Sequence, residues 1–124
     1  MEKTMKIGIP VDENAVDTGI CMSFGRTPWF LIYDTETKEK NYINNEAAAS
    51  QGGAGIKAAQ ALIDNKVEVA LLPRCGQNAA EVFQAAGIKI YKTKNSVVAE
   101  NIEAFLEGKL SLLEEIHEGF HGHS

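Results

Sequence analysis

A chain of 124 residues, 44% hydrophobic and 23% charged, is long enough for one hydrophobic core and too short for two. Its net charge of −5, with no local basic stripe, argues against a nucleic-acid binder, whose affinity rests on cations neutralising phosphates. Two cysteines cannot form a disulfide framework, the longest apolar runs are strand-sized, and no secretory leader opens the chain; the expectation is a cytoplasmic protein with no membrane partner.

In chain order, "MKIGIPV" (5–11) reads as a first buried strand, followed by a long loop, "DENAVDTGICMSFGRTP" (12–28). "WFLIYD" (29–34) is a continuous apolar strand, and "EKNYINN" (39–45) alternates like its hairpin partner. "EAAASQGGAG" (46–55) is a small-residue loop opening a helix, to which Ile56, Ala59, Leu62 and Ile63 give an apolar face and Asn65 a stop. "VEVALL" (67–72) is β-branched and strand-like. A second helix starts near Asn78, whose side chain can cap it with Glu81 three residues on, and ends at Gly87. It carries Ala79, Val82, Phe83 and Ala86 at helical spacing. "IKIY" (88–91) is a short strand, and 96–109 a last helix with Val98, Ile102, Phe105 and Leu106 on one face. Residues 113–124, rich in Gly and His, read as a flexible tail beyond a single domain spanning 1–112.

Hairpin material followed by β-α-β-α-β-α predicts an α/β sandwich of three layers: a mixed five-stranded sheet of order 3-2-1-4-5, first strand central, helices on both faces. If the first three strands meander and the fourth lies parallel to the first, loops 12–28, 46–55 and 73–78 project from one sheet edge, where ligands of open α/β sheets gather. Two of these loops open helices, whose N–H groups and positive dipole end attract anions. Gly52, Gly53 and Gly55 would let a ligand approach the backbone. Cys21, Cys75, Arg26 and Arg74 all fall on this edge. A cysteine beside a helix N-terminus and an arginine should have a lowered pKa and be partly thiolate.

Cys75 can be a nucleophile, a metal ligand or a small residue filling a tight turn, and Cys21 likewise admits a plain packing role. "GGAG" matches no phosphate fingerprint. Asp12 fits a turn better than a metal carboxylate, and His117, His121 and His123, in a tail without fixed geometry, would bind divalent metals only loosely. With no histidine before residue 117, no Ser-His-Asp or Cys-His constellation is indicated. A nucleophilic thiolate would need a general base or acid to complete a turnover, and none is visible.

Taken together, "KIGIPVDE", "SFGRTPWFLIYD", "AAASQGGAGIKAAQALID" and "CGQNAAEVFQAAGIKIY" followed by "SVVAENIEAFLEGKL" resemble the dinitrogenase iron–molybdenum cofactor family, which includes the NifX and NafY carriers and the C-terminal domain of NifB. The resemblance covers nearly the whole chain and implies a ribonuclease H-like fold. It also implies a non-catalytic protein that holds or ferries an iron–sulfur or molybdenum-containing cluster, as a monomer or weak homodimer, for a cluster-assembly or acceptor protein. Many members have a histidine just before "FGR", where this chain has Ser23, and commonly read Gly-Pro-Asn where it has Gly76-Gln77-Asn78 behind Cys75. The site residues implied are Cys21, Ser23, Arg26, Gly52, Gly53, Gly55, Arg74, Cys75, Gly76 and Asn78, with Cys21 and Cys75 as metal ligands. The alternatives are a regulatory module binding a small anion at the helix N-termini, and a ribonuclease H-like nuclease, for which only Asp12 and Asp34 offer carboxylates at strand ends.

Overall fold

A computed structural model describes residues 5–15, 17–49 and 52–113. Its strands are β1 (Lys6–Val11), β2 (Trp29–Asp34), β3 (Lys40–Asn44), β4 (Val69–Leu72) and β5 (Lys89–Lys92); its helices are α1 (Ala54–Asp64), α2 (Gln77–Ala85) and α3 (Val98–Leu106). A 3₁₀ turn at Glu46–Ala49 follows β3. The sheet runs β3-β2-β1-β4-β5, as expected, with β1 antiparallel to β2 and parallel to β4. Residues 6–11 are therefore central.

The central strands read as unbroken apolar runs because both their faces are covered. Phe30, Ile32, Ala70 and Leu72 point to the layer of α1 and α2, where Leu62, Ala79 and Phe83 pack. Ile7, Ile9, Val11, Leu31, Val69 and Leu71 point the other way, onto Val98 and Ile102 of α3. On β1 the α1-facing position is Gly8; a Cβ there would lie 3.0 Å from Leu62 Cδ1, so the missing side chain lets α1 sit close to the strand.

The helix faces depart from expectation. In α1 the buried residues are Ala54, Ala58, Ala59 and Leu62, while Ile56 is exposed. In α2 they are Ala79, Ala80 and Phe83, with Ala86 exposed. In α3, Leu106 is exposed and Asn101 fully buried. The cap expected at Asn78 is also displaced: Gly76 is the N-cap of α2, no side chain caps it, and Gln77 bonds Glu81 on the helix surface instead. Gly87 does close α2 in the left-handed region, at φ 77°.

Past α3 the chain docks on the outer edge of β5. Lys92 N donates to Ser111 O (2.9 Å) and Leu113 N to Ile90 O (2.8 Å), and Leu113 is buried. The tail expected to begin at Leu113 is thus anchored at its first residue; its remainder, 114–124, lies outside the described residues.

Candidate functional site

Where β1 and β4 end, three chain segments close around an open concavity of roughly 420 Å³, a volume typical of small-molecule sites. Residues 22–26 come from the β1–β2 loop, Ala54 and Gly55 from the start of α1, and residues 74–76 from the β4–α2 turn. The convergence of loops read from the topology is present. Of the expected site residues, Ser23, Arg26, Gly55, Arg74, Cys75 and Gly76 line this concavity; Cys21, Gly52, Gly53 and Asn78 do not. Cys21 is held just outside, its N–H donating to Pro10 O (2.9 Å).

The long first loop is tightly fastened. Phe24 inserts into the core, its ring centroid 5.4 Å from those of both Phe30 and Phe83. Thr27, fully buried, donates its hydroxyl to Val11 O (2.8 Å). Asn45 donates from Nδ2 to Gly25 O (3.1 Å) and Thr27 O (2.8 Å), and its Oδ1 accepts from Ala47 N (3.1 Å). Arg26 Nη1 donates to Ala48 O (2.8 Å), tying the loop to the 3₁₀ turn. A Cβ on Gly25 would fall 3.0 Å from Gly55 N, so loop and helix touch backbone to backbone only because this residue is glycine. Sequence reasoning missed Gly25, Thr27 and Asn45. The available signal was Asn45 itself, an Asx-turn former between a strand and a small-residue loop.

The electrostatics favour an anion. Neither α1, whose N-cap is Gly53 at φ 70°, nor α2 has a side-chain cap, and their internal ladders begin at Lys57 N→Gly53 O and Ala80 N→Gly76 O. Ahead of those bonds, first-turn N–H groups have no partner within the helix, and the dipoles place partial positive charge at the same end. The guanidinium groups of Arg26 and Arg74 add full charges to the wall.

The thiol behaves differently from expectation. Cys75 is only 2% exposed, packs with the α1/α2 side of the core, and donates from Sγ to Gly76 O (3.5 Å). Burial pushes its pKa up to about 11. The expected partial thiolate is therefore overturned: loss of solvent around the sulfur disfavours its charged form. Among the described residues no three His, Cys, Asp or Glu side chains are grouped as a ready metal-binding set.

The carboxylates considered for a nuclease lie far apart. Asp34 pairs with Lys6 while Asp12 follows Val11, so a strand length of roughly 20 Å separates them. Backbone N–H groups of Thr37 (3.1 Å) and Glu36 (2.8 Å) hold the Asp34 carboxyl below its ordinary pKa, a turn role. A two-metal centre needs its ions about 4 Å apart, which this pair cannot serve.

Comparison with known proteins agrees with the fold. An uncharacterized protein of Methanocaldococcus jannaschii, MJ0580, is 34% identical over 115 residues, covering 90% of this chain and 94% of its own. The apo form of the orange protein from Desulfovibrio gigas superposes with a TM-score of 0.84 at 28% identity, over 92% of this chain and 97% of that one. A putative NifB protein from Thermotoga follows with a TM-score of 0.80 at 32% identity, over 94% and 99%. The family model described as dinitrogenase iron-molybdenum cofactor matches residues 5–108, from the start of β1 to the close of α3. This chain belongs to the dinitrogenase iron-molybdenum cofactor family.

Proposed function

We propose that this protein binds an anionic iron–sulfur or molybdenum-containing cluster in the 22–26/54–55/74–76 concavity and passes it to an assembly or acceptor protein, without catalysing a reaction. One observation carries the reading: two arginines, two helix N-termini without side-chain caps, and one thiol meet around a single concavity. Family membership supports a role tied to cofactor assembly. The donor set fits a cargo held largely by charge and backbone N–H groups, with Cys75 as the one thiol in the wall. Coordination would displace the Cys75 proton, since a metal-bound thiol is deprotonated. Cys21 lies outside the lining, so its contribution is secondary. The net charge of −5 leaves nucleic acid out of the reading, and no described helix is long and apolar enough to cross a membrane. The protein would work in the cytoplasm as a monomer or weak homodimer.

Anaerobic reconstitution with iron and sulfide, or with tetrathiomolybdate, tests this by visible absorption and metal analysis. Wild type should retain cluster after desalting. Arg74→Glu and Cys75→Ser should each lose most of it, and Cys21→Ser less. A chain shortened to residue 113 must behave like wild type, because the histidines beyond it could take up loose metal. If wild type retains no cluster the carrier reading fails, and if both cysteine variants match wild type the thiols are not ligands. A second reading, a module for small inorganic anions, draws on the protonated state of Cys75. It predicts that sulfate or phosphate competes fully with tetrathiomolybdate.

A further inference from the structure

Beside the first concavity, on the same sheet edge, lies a second of about 300 Å³. Met22 belongs to both walls and is 60% exposed, so its side chain stands as the partition between them. The second space has different chemistry. Ile20, Met22 and Pro73 supply apolar surface, while Lys92 and Lys94 bring two positive charges. Among the described residues no carboxylate forms a salt bridge with either lysine.

The remaining wall, loop 93–96, is held from beneath by one side chain. Asn101 of α3 is fully buried, and its amide ties this loop to the N-terminus of its own helix. Its Oδ1 accepts from Lys94 N (2.7 Å), and its Nδ2 donates to Val97 O (2.7 Å) and Asn95 O (3.0 Å). Asn95 Oδ1 accepts in turn from Val97 N (2.9 Å), and Ser96 O accepts from Ile20 N (3.0 Å), joining this wall to the first loop. A concavity whose walls are fixed in advance loses little entropy when filled.

The geometry points to a second ligand site here, for a small organic carboxylate with a compact apolar body, either aryl or short alkyl. Apolar walls reward burial of the body. The two lysines favour an acid head over a neutral one, because an ammonium group makes a stronger, charge-assisted hydrogen bond to a carboxylate than to a hydroxyl. A bare inorganic anion would leave Ile20, Met22 and Pro73 uncovered. Met22 is the one lining residue shared with the first concavity, so the proposal does not rest on cluster binding there.

The test uses ¹⁵N-labelled full-length protein without cluster, titrated with 3-phenylpropionate to 5 mM and followed by backbone amide shifts. Saturable shifts are expected at Ile20, Met22 and residues 93–96. The neutral analogue 3-phenylpropan-1-ol should bind at least fivefold more weakly, as should the acid to the Lys92→Ala, Lys94→Ala double variant. Both lysines are exposed, and an unchanged spectrum of the double variant would show that it folds. Absence of saturable shifts by 5 mM overturns the proposal. So do shifts centred on residues 24–26, 54–55 and 74–76, or equal affinity for the acid and the alcohol.

Discussion

Cluster uptake is expected to rise about tenfold for each pH unit between 7 and 9, and to become nearly flat in Cys75→Ala. The sign follows from the buried thiol. Its pKa is pushed up to about 11, so at pH 7 roughly one molecule in ten thousand holds a thiolate. A ligand that must lose a proton gains a factor of ten in affinity per unit until the pH reaches that pKa. The upper limit of pH 9 is set by the same group. A thiol whose pKa is higher folded than unfolded stabilises the fold fully below its unfolded value, near 9. That contribution, on the order of 2 kcal/mol, is lost as pH climbs from there through about 11. Retention of metal measured at pH 7, 8 and 9 decides the matter. A flat wild-type profile would remove Cys75 from the ligand set and leave charge alone holding the cargo.

Asn101→Ala is expected to cost about 2–4 kcal/mol in urea unfolding, a large share of the stability of a domain this size. The substitution removes an acceptor for Lys94 N and a donor to Asn95 O and Val97 O at a site with no solvent access. Lys94 N and Asn95 O would lose their partner in a part-buried setting, whereas Val97 O keeps the bond it accepts from Asn101 N (3.2 Å). Asn101→Asp should be no better, since the new oxygen would face the two carbonyls that the amide nitrogen now serves. Amide exchange should speed up in residues 94–97 before the sheet responds. A loss below about 0.5 kcal/mol would mean that the loop relaxes onto water and that the network is dispensable.

The strands were legible because burial on both faces leaves an apolar run that no helix period fits. β2 was read to the residue, and β1, β4 and β5 to within two. The helix faces were not, for a physical reason. Reading by hydropathy selects large side chains, and so favoured Ile56 and Leu106. α1 instead meets the sheet and α2 through Ala54, Ala58 and Ala59, whose small volumes permit close approach; α3 buries an asparagine. The three loops of the site followed from strand order alone. Which atoms of those loops face the concavity depended on tertiary contacts: Cys21 is turned aside by its bond to Pro10, and Gly25 is pressed against Gly55. The protonation of Cys75 was misjudged because its helix and arginine are visible in the sequence, whereas the depth of its burial is not.

The short stretch that follows α3 has a consequence for how the sheet meets other molecules. A strand at the end of a sheet exposes a ladder of N–H and C=O groups that can recruit another chain. At the β3 end, Lys40 and Asn41 are exposed and discourage such pairing. At the β5 end the chain recruits itself: Lys92 N and Ile90 O are occupied by residues 111–113, and Leu113 seals the core beneath. The family match stops at residue 108, before this cover begins. A chain cut there would keep every strand and helix yet present β5 as an open template, and its copies would be drawn into edge-to-edge association.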